Sequence, residues 1–331
     1  MISILKKLIR KMYRIVTYPV RIRDFNNWYT VRTPPHLHIC VDGIGDIVWF
    51  MAFWEQYKKK HNLGNDYKIL APARHRDMFL LYGEQNLMEN SEKYIPHIMY
   101  LWKKEKLYKY PKIHVMAYPK DHGKRVNIIE ENVRAGVGIM MDDCYRFGCF
   151  DLTYDSDEPV TIPPLLETKY ELNTDKNILL IPYTKSRINI PLAIWEEITG
   201  ALKKDGYTVY TNVGTPKEKA VNGTIPLQLK ITELPSLLRK YDFISLCGRC
   251  GLADWLFVNE CKQIVVHSCK KNPKNRNEWL CSAVEKKDSF KVMKRKCLLN
   301  EKNAEDVWLY IDDLSSDYIE NIMQKVRKIN A

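Results

Sequence analysis

The stretch HICVDGIGDIVWFMAFW, residues 38–54, runs from an apolar strand through a glycine-acid turn straight into an apolar helix. A strand, a tight turn and a helix in that order form the first unit of a parallel α/β sheet. The turn, Asp42-Gly43-Ile44-Gly45-Asp46, presents backbone amides and carboxylates at the carboxyl end of the strand. A dinucleotide fingerprint would need a third glycine at position 48, which is Val48, and an acid after the next strand, where Ala71 and Pro72 stand. Hydride chemistry on a nicotinamide cofactor is therefore not expected. A phosphate loop fails as well, because no Gly-Lys-Ser/Thr follows. The turn holds an acid, Asp46, at a helix start, where it either caps the helix or serves chemistry.

Outward from this stretch the alternation continues. Strands are expected at HLHICV, YKILAP and KIHVMAY, with helices at Ile47–Lys60 and Arg74–Leu87. Residues 124–150 suggest a further helix and a Gly-rich turn. The period breaks in the acidic, Pro-rich run 155–176 and resumes at NILLIPY, a near-continuous apolar strand. From there PLAIWEEITGALKKDG, ELPSLLRKY, GLADWLFVNE and SDYIENIMQKVRKI read as helices, and YTVYTNVG, DFISLCG and KQIVVHS as strands. Strands this apolar belong in parallel sheets covered on both faces. The expectation is two Rossmann-like domains facing a cleft. Residues 1–32 are a basic N-terminal segment, 33–158 the first domain, 159–176 a linker and 177–331 the second domain with a final helix.

The chain has 331 residues, 45% of them apolar, and a net charge of +12 from 52 basic and 40 acidic residues. That composition excludes a disordered tail or a membrane bundle, and the charge points to an anionic partner. Residues 1–23 place Lys6, Lys7, Arg10, Lys11 and Arg14 opposite Leu5, Leu8, Ile9, Met12, Ile15 and Val16, with no acid before Asp24. Such a basic amphipathic helix lies on an anionic membrane surface, docks on the protein's own core, or acts as a presequence. Scarce Ser and Thr argue against the last. Peripheral membrane association through residues 1–23 is the expectation, since no run reaches the ~20 apolar residues that span a bilayer. Nine unevenly spaced cysteines read as reduced thiols of a cytoplasmic protein. Cys247-Gly-Arg-Cys250 lacks a second CxxC, so buried thiols are favoured over zinc. Asp155-Ser-Asp157 spells a metal-binding DxD but sits in the acidic, Pro-rich run 155–176 and follows no apolar strand, so no metal is expected there.

Three features in order carry a resemblance: Gly45-Asp46 after the first strand, Thr184-Lys185-Ser186-Arg187 before Pro191 and Trp195, and Gly251-Leu252-Ala253-Asp254 after LLRKYDF. This order resembles the heptosyltransferase-like branch (family 9) of the GT-B glycosyltransferases. The resemblance spans most of residues 36–270 as an order of elements, and its identities are few. Where the family has an acid followed by Ser or Thr, this chain has Arg249-Cys250, and where the family has His it has Asp254.

The resemblance implies a GT-B fold and a hexosyl- or heptosyltransferase that needs no metal or cofactor, its nucleotide-sugar being a substrate. Asp46 is then the general base, and Asp42, Gly43 and Gly45 form the acceptor-side loop. Thr184, Lys185, Ser186, Arg187, Arg249, Gly251, Leu252 and Asp254 hold the donor. Asp254 has two readings: it binds a sugar or ribose hydroxyl, or it pairs with Arg249. The acceptor is a glycan or a lipid-linked species of bacterial surface polysaccharide or lipopolysaccharide assembly, at the inner face of the membrane. A different donor class, such as GDP-fucose, would use the same fold. A non-catalytic GT-B scaffold and a basic nucleic-acid-binding protein using lysines of 102–112 and 286–296 are the rivals. Aromatics do not alternate with those lysines as a stacking platform needs, so no nucleic-acid partner is expected.

Overall fold

The computed structural model describes residues 20, 22–40, 43–116, 150, 152, 161–168, 170–172, 175–184, 188–274 and 303–330. Two parallel sheets organise them. The first has three strands, β1 (His36–Ile39), β2 (Tyr67–Leu70) and β3 (Ile113–Val115), in the order β2-β1-β3. The second has six, β4 (Asn177–Ile181), β5 (Thr208–Asn212), β6 (Ile225–Leu227), β7 (Ile244–Gly248), β8 (Gln263–Cys269) and β9 (Ala304–Tyr310), in the order β6-β5-β4-β7-β8-β9. Every pairing is parallel. Counted within the second half alone this is the doubly wound order 3-2-1-4-5-6, whose switch point lies between β4 and β7.

Strand alternation in the first sheet separates two faces. Leu37, Ile39, Leu70, Ile113 and Val115 point to a layer made by helix α1 (residues 22–32) and α4 (Ile95–Lys103), where Phe25, Trp28, Tyr94, Ile98 and Leu101 are buried with them. Residues 22–32 are thereby tied to the first sheet, although the sequence reading assigns them to a separate segment. Residues 1–19, which carry the predicted amphipathic helix, lie outside the described residues. The other face meets α2 (Ile44–Lys60), in which every residue from Ile47 to Trp54 is buried. A helix apolar all round must be enclosed on all sides. Here the enclosure is completed by the second half, because one continuous core joins α2 to Leu179, Ile181, Tyr210, Leu237 and Trp255.

The second sheet is covered on that side by α6 (Leu234–Lys240) and α7 (Gly251–Val258), and on its far side by α5 (Leu192–Lys204) and α8 (Tyr318–Asn330). Trp195 is fully buried in that far core with Ile194, Ile198 and Leu202, the helical spacing read from the sequence. The helix expected at Arg74–Leu87 is shorter: a 3₁₀ turn at Ala73–His75, then α3 (Arg76–Leu81). Gly83, at φ 79°, ends it, and Leu87 pairs in parallel with Ile69 as a bridge beside β2. The described part of the linker has no regular structure. Thr161 N–H donates to Ala52 O of α2 (3.0 Å) and Tyr170 OH to Gln228 O (3.0 Å), so it crosses from one half to the other.

Candidate active site between two switch points

The first turn follows β1. Helix α2 begins at Ile44, three residues before the expected start, so Gly45 and Asp46 belong to its first turn rather than to a loop. Gly43 is the N-cap, and its N–H donates to Asp46 Oδ2 at 3.0 Å. Glycine has no side chain to return the bond, so α2 carries the acid half of a capping box. The carboxylate also stands where the helix dipole favours negative charge. Asp46 is half-buried and Gly43 exposed. Asp42 lies outside the described residues.

The second turn is built from the ends of β4 and β7, which are neighbours in register from Ile178↔Ile244 to Ile181↔Cys247. Beyond β4, Asn189 Oδ1 accepts from both Thr184 N–H (3.0 Å) and Thr184 Oγ1 (3.1 Å). Lys185, Ser186 and Arg187, expected to hold the donor, lie outside the described residues. Beyond β7, Arg249 N–H donates to Val266 O (3.2 Å), which fixes the start of the turn against β8. Its guanidinium Nη1 donates to Asp254 Oδ2 (2.9 Å) and to Cys250 O (3.0 Å). The two side chains are 11% and 5% exposed. Burial works against the Arg249 charge, but the Asp254 carboxylate outweighs it and raises the guanidinium pKa further. Of the two readings of Asp254, the structure contains the ion pair. Leu252 is buried and helps seat α7.

One neighbouring pair escaped the sequence reading. His267 Nε2 and Asp306 Oδ1 are 2.7 Å apart, and the imidazole stacks on Trp308 with centroids 5.2 Å apart and planes at 11°. His267 sits on β8, beside the β7 end that carries Arg249, and Asp306 adds to the field that holds the guanidinium charged. Its signal in the sequence was a histidine directly after the apolar run Ile264-Val265-Val266. Cys247, Cys261 and Cys269 are buried and Cys250 is half-buried. Burial pushes the Cys261 thiol up to about 12. Among the described residues no three of His, Cys, Asp or Glu gather as a metal-binding group. The Asp155-Ser-Asp157 motif lies outside them.

The two turns meet. A Cβ on Gly251 would lie 2.5 Å from Gly45 N and 3.2 Å from Gly45 Cα, and one on Gly45 would lie 2.8 Å from Asp254 Oδ2. Only glycine at both positions allows the first turns of α2 and α7 to touch. In open parallel sheets, ligands bind outside the carboxyl ends of the strands at the switch point. Here the switch points of both sheets, β1/β3 and β4/β7, open beside the same contact. One side presents Asp46; the other presents Arg249 and the amides that begin α7.

No protein-family model matches the sequence, and no curated protein matches it. Among solved structures the chain is similar to the ADP-heptose lipopolysaccharide heptosyltransferase II of E. coli, at 11% identity and a TM-score of 0.52, over 89% of this chain and 100% of that one. It is also similar to a family 9 glycosyl transferase of Veillonella parvula (10% identity, TM-score 0.48, 89% and 97% covered). The E. coli heptosyltransferase WaaC with ADP gives 10% identity and a TM-score of 0.48, with 88% and 99% covered. The first likeness shows the fold: GT-B, two parallel α/β halves.

Proposed function

We propose that the protein is a glycosyltransferase that moves a sugar from a nucleotide diphosphate to a hydroxyl of a glycan or lipid-linked acceptor. The observation that carries the reading is the abutment of the two switch-point turns, Gly45 against Gly251, in a chain with the GT-B fold. A transferase of this kind must deprotonate a hydroxyl and stabilise a departing diphosphate. The acceptor oxygen forms the new bond to the anomeric carbon as the bond from that carbon to the diphosphate oxygen breaks. The hydroxyl proton goes to Asp46.

A carboxylate offers about four lone-pair sites, so the bond from Gly43 is compatible with a second role as base. At the helix start the dipole favours negative charge, which suits a carboxylate base. Gly43, exposed at the helix start, leaves its backbone open to substrate with Asp42 next in sequence, whereas Gly45, expected on the acceptor-side loop, is taken up by the contact with Gly251. Charge on the diphosphate falls to Lys185, Arg187 and Arg249, with the Thr184 and Ser186 hydroxyls and the Gly251 and Leu252 amides at the start of α7. Asp254 acts through Arg249, holding its guanidinium in place. The chain's own cations suffice for this step without a metal. The acceptor class we favour is surface polysaccharide or lipopolysaccharide, with the enzyme peripheral on the inner face of the membrane.

A thermal-shift series with UDP, GDP, ADP, CMP and their sugar conjugates tests the reading. A bound nucleotide at ~100 times its Kd adds about 2.7 kcal/mol of stability. We expect one nucleotide to raise Tm, Arg187→Ala to reduce the shift, and Asp46→Asn to leave it. No shift with any nucleotide sinks the transferase reading.

A further inference from the structure

The face of the first sheet turned away from the second half carries a concentration of charge that the transferase reading does not use. Helices α1 and α4, and the 3₁₀ turn Leu107–Lys109 that follows α4, form this layer. Trp28 stacks on Tyr94 (4.4 Å), Tyr110 meets Phe25 and Tyr29 edge-on (5.0 Å each), and Tyr110 OH donates to Asn26 Oδ1 (2.8 Å). The layer is thus a rigid plate rather than a set of loose loops. On its outer surface Arg23, Arg32, Lys104, Lys106 and Lys109 are exposed. Of the acids there, Asp24 is already engaged by Lys93 and Tyr94, each at 3.1 Å, and the hydrogen bonds from Lys93 and then Tyr94 hold its carboxyl below the usual range. Large apolar and amphipathic side chains stand among the charges: Val31 is 80% exposed, Tyr108 75% and Tyr100 43%. Lys109 Nζ lies 5.9 Å from the centre of the Tyr108 ring.

We propose that this α1–α4 plate is a docking face for an anionic lipid bilayer. Lys104, Lys106 and Lys109 meet the headgroup phosphates, and Tyr100, Tyr108 and Val31 enter the headgroup region. Two observations select a bilayer as the occupant. The first is charge complementarity combined with tyrosines, whose amphipathic rings suit a membrane–water boundary. The second is continuity in sequence: the residues that lead into α1 include Lys6, Lys7, Arg10, Lys11 and Arg14, with no acid before Asp24. The sequence alone pointed to residues 1–23 as the contact; Lys104, Lys106 and Lys109 of the plate lie well beyond them in the chain. Docking on this face leaves the Gly45–Gly251 contact untouched, because α2 lies on the opposite side of the sheet. The inference stands whether or not the protein is a transferase.

Co-sedimentation of the full chain with phosphatidylcholine vesicles, with and without phosphatidylglycerol, tests it. Binding is expected only with phosphatidylglycerol and weakens as salt rises. At about fivefold per lysine lost near the surface, Lys104→Glu/Lys106→Glu/Lys109→Glu lowers the partition by at least about a hundredfold, the added carboxylates only deepening the loss. Lys204→Glu/Arg239→Glu/Lys240→Glu makes the same change in net charge on the second half and leaves binding nearly unchanged. Tyr108→Glu probes the plate through one exposed side chain and weakens binding without moving Tm. Equal loss in the two triple variants, no loss in the first, or tighter binding to an RNA or DNA duplex than to the anionic vesicles would overturn the proposal.

Discussion

The turns after β1 and after β7 occupy the same station in their sheets, yet they use their acids in opposite ways. Asp46 is spent on its own helix, half-buried, accepting one N–H from the residue that caps α2. Asp254 is almost fully enclosed and is spent on Arg249, a cation five residues earlier. The first turn therefore offers the contact zone a carboxylate and the second a guanidinium, although each turn contains an acid. What a turn presents depends on which partner its acid has, not on whether an acid is there. Under the transferase proposal, the first turn would contribute the carboxylate and the second the cation that transfer from a diphosphate to a hydroxyl needs.

The sharpest way to break this contrast is Asp254→Ala. A buried guanidinium would lose its counter-charge, and removal of one partner from a buried pair costs about 3–5 kcal/mol. Urea unfolding should show a loss of that order, whereas Asp46→Ala loses far less. Equal losses would mean that Arg249 is solvated in solution and the two turns are alike.

The strands that lead into the turns differ as well. β1 carries His38, which is buried, with neither ring nitrogen hydrogen-bonded; β7 carries no imidazole. His36, His61 and His114 face it from β1, the end of α2 and β3, with the Trp54, Tyr57 and Tyr67 rings around it. Burial, and then the field of those three imidazoles, lowers its pKa to about 3 from 6.5. A folded-state value below the unfolded one means that the unfolded chain binds more protons. The His38 contribution is thus complete above about pH 6.5 and is lost as pH falls toward 3, by up to about 1.4 kcal/mol per pH unit. The first half should be the acid-labile one. Hydrogen exchange at pH 5 against pH 7 should open β1 and β3 before β4 and β7, and His38→Phe should flatten the difference.

Gly251→Ala addresses the contact itself. The added methyl would meet backbone atoms of Gly45 on the other helix, and overpacking of this kind costs about 1–3 kcal/mol. Gly45→Ala meets the end of a carboxylate and Gly251 Cα at 3.0 Å, and should cost somewhat less. If both variants unfold at the wild-type urea midpoint, α2 and α7 do not touch in solution, and the two turns do not share a site.

Elements with strong local periodicity were legible in the sequence: α5 from Pro191 to its stop at Asp205-Gly206, the apolar strands β4, β7 and β8, and α8. Those whose character is set by distant partners were not. α4 has only nine residues, with Pro96 in its first turn. β9 carries Glu305, whose carboxylate is held by Lys325 (2.7 Å) and Lys328 of α8, so its acids masked a strand. The same division runs through the site. Asp46, Arg249 and Asp254 stood out because each follows an apolar strand and borders a helix. That Gly45 would touch Gly251, or His267 reach Asp306, depends on how the sheets are placed and on the β8/β9 register, which no local pattern encodes. Even the start of α2 was hidden, because two glycines in three residues mimic a loop. They stand at a helix start because one caps it and the other must let α7 through.

The smallest change in stability is expected from Asp46→Asn, and it separates the two uses of that acid. Asparagine keeps an oxygen for the Gly43 N–H but gives up the charge and the basicity. The structural loss is then well under the ~1 kcal/mol typical of removing a cap outright. If Asp46 only starts α2, sugar transfer and Tm both stay near wild type. If it takes the acceptor proton, kcat falls by about 10²–10⁴-fold while Tm and nucleotide binding hold. Asp46→Glu sharpens the reading, since it restores a base one methylene out of place and should recover part of the rate if proton transfer is the step lost. A rate loss that tracks a fall in Tm across Asn, Glu and Ala would instead make Asp46 a structural residue, and the first turn would then contribute shape to the site but no chemistry.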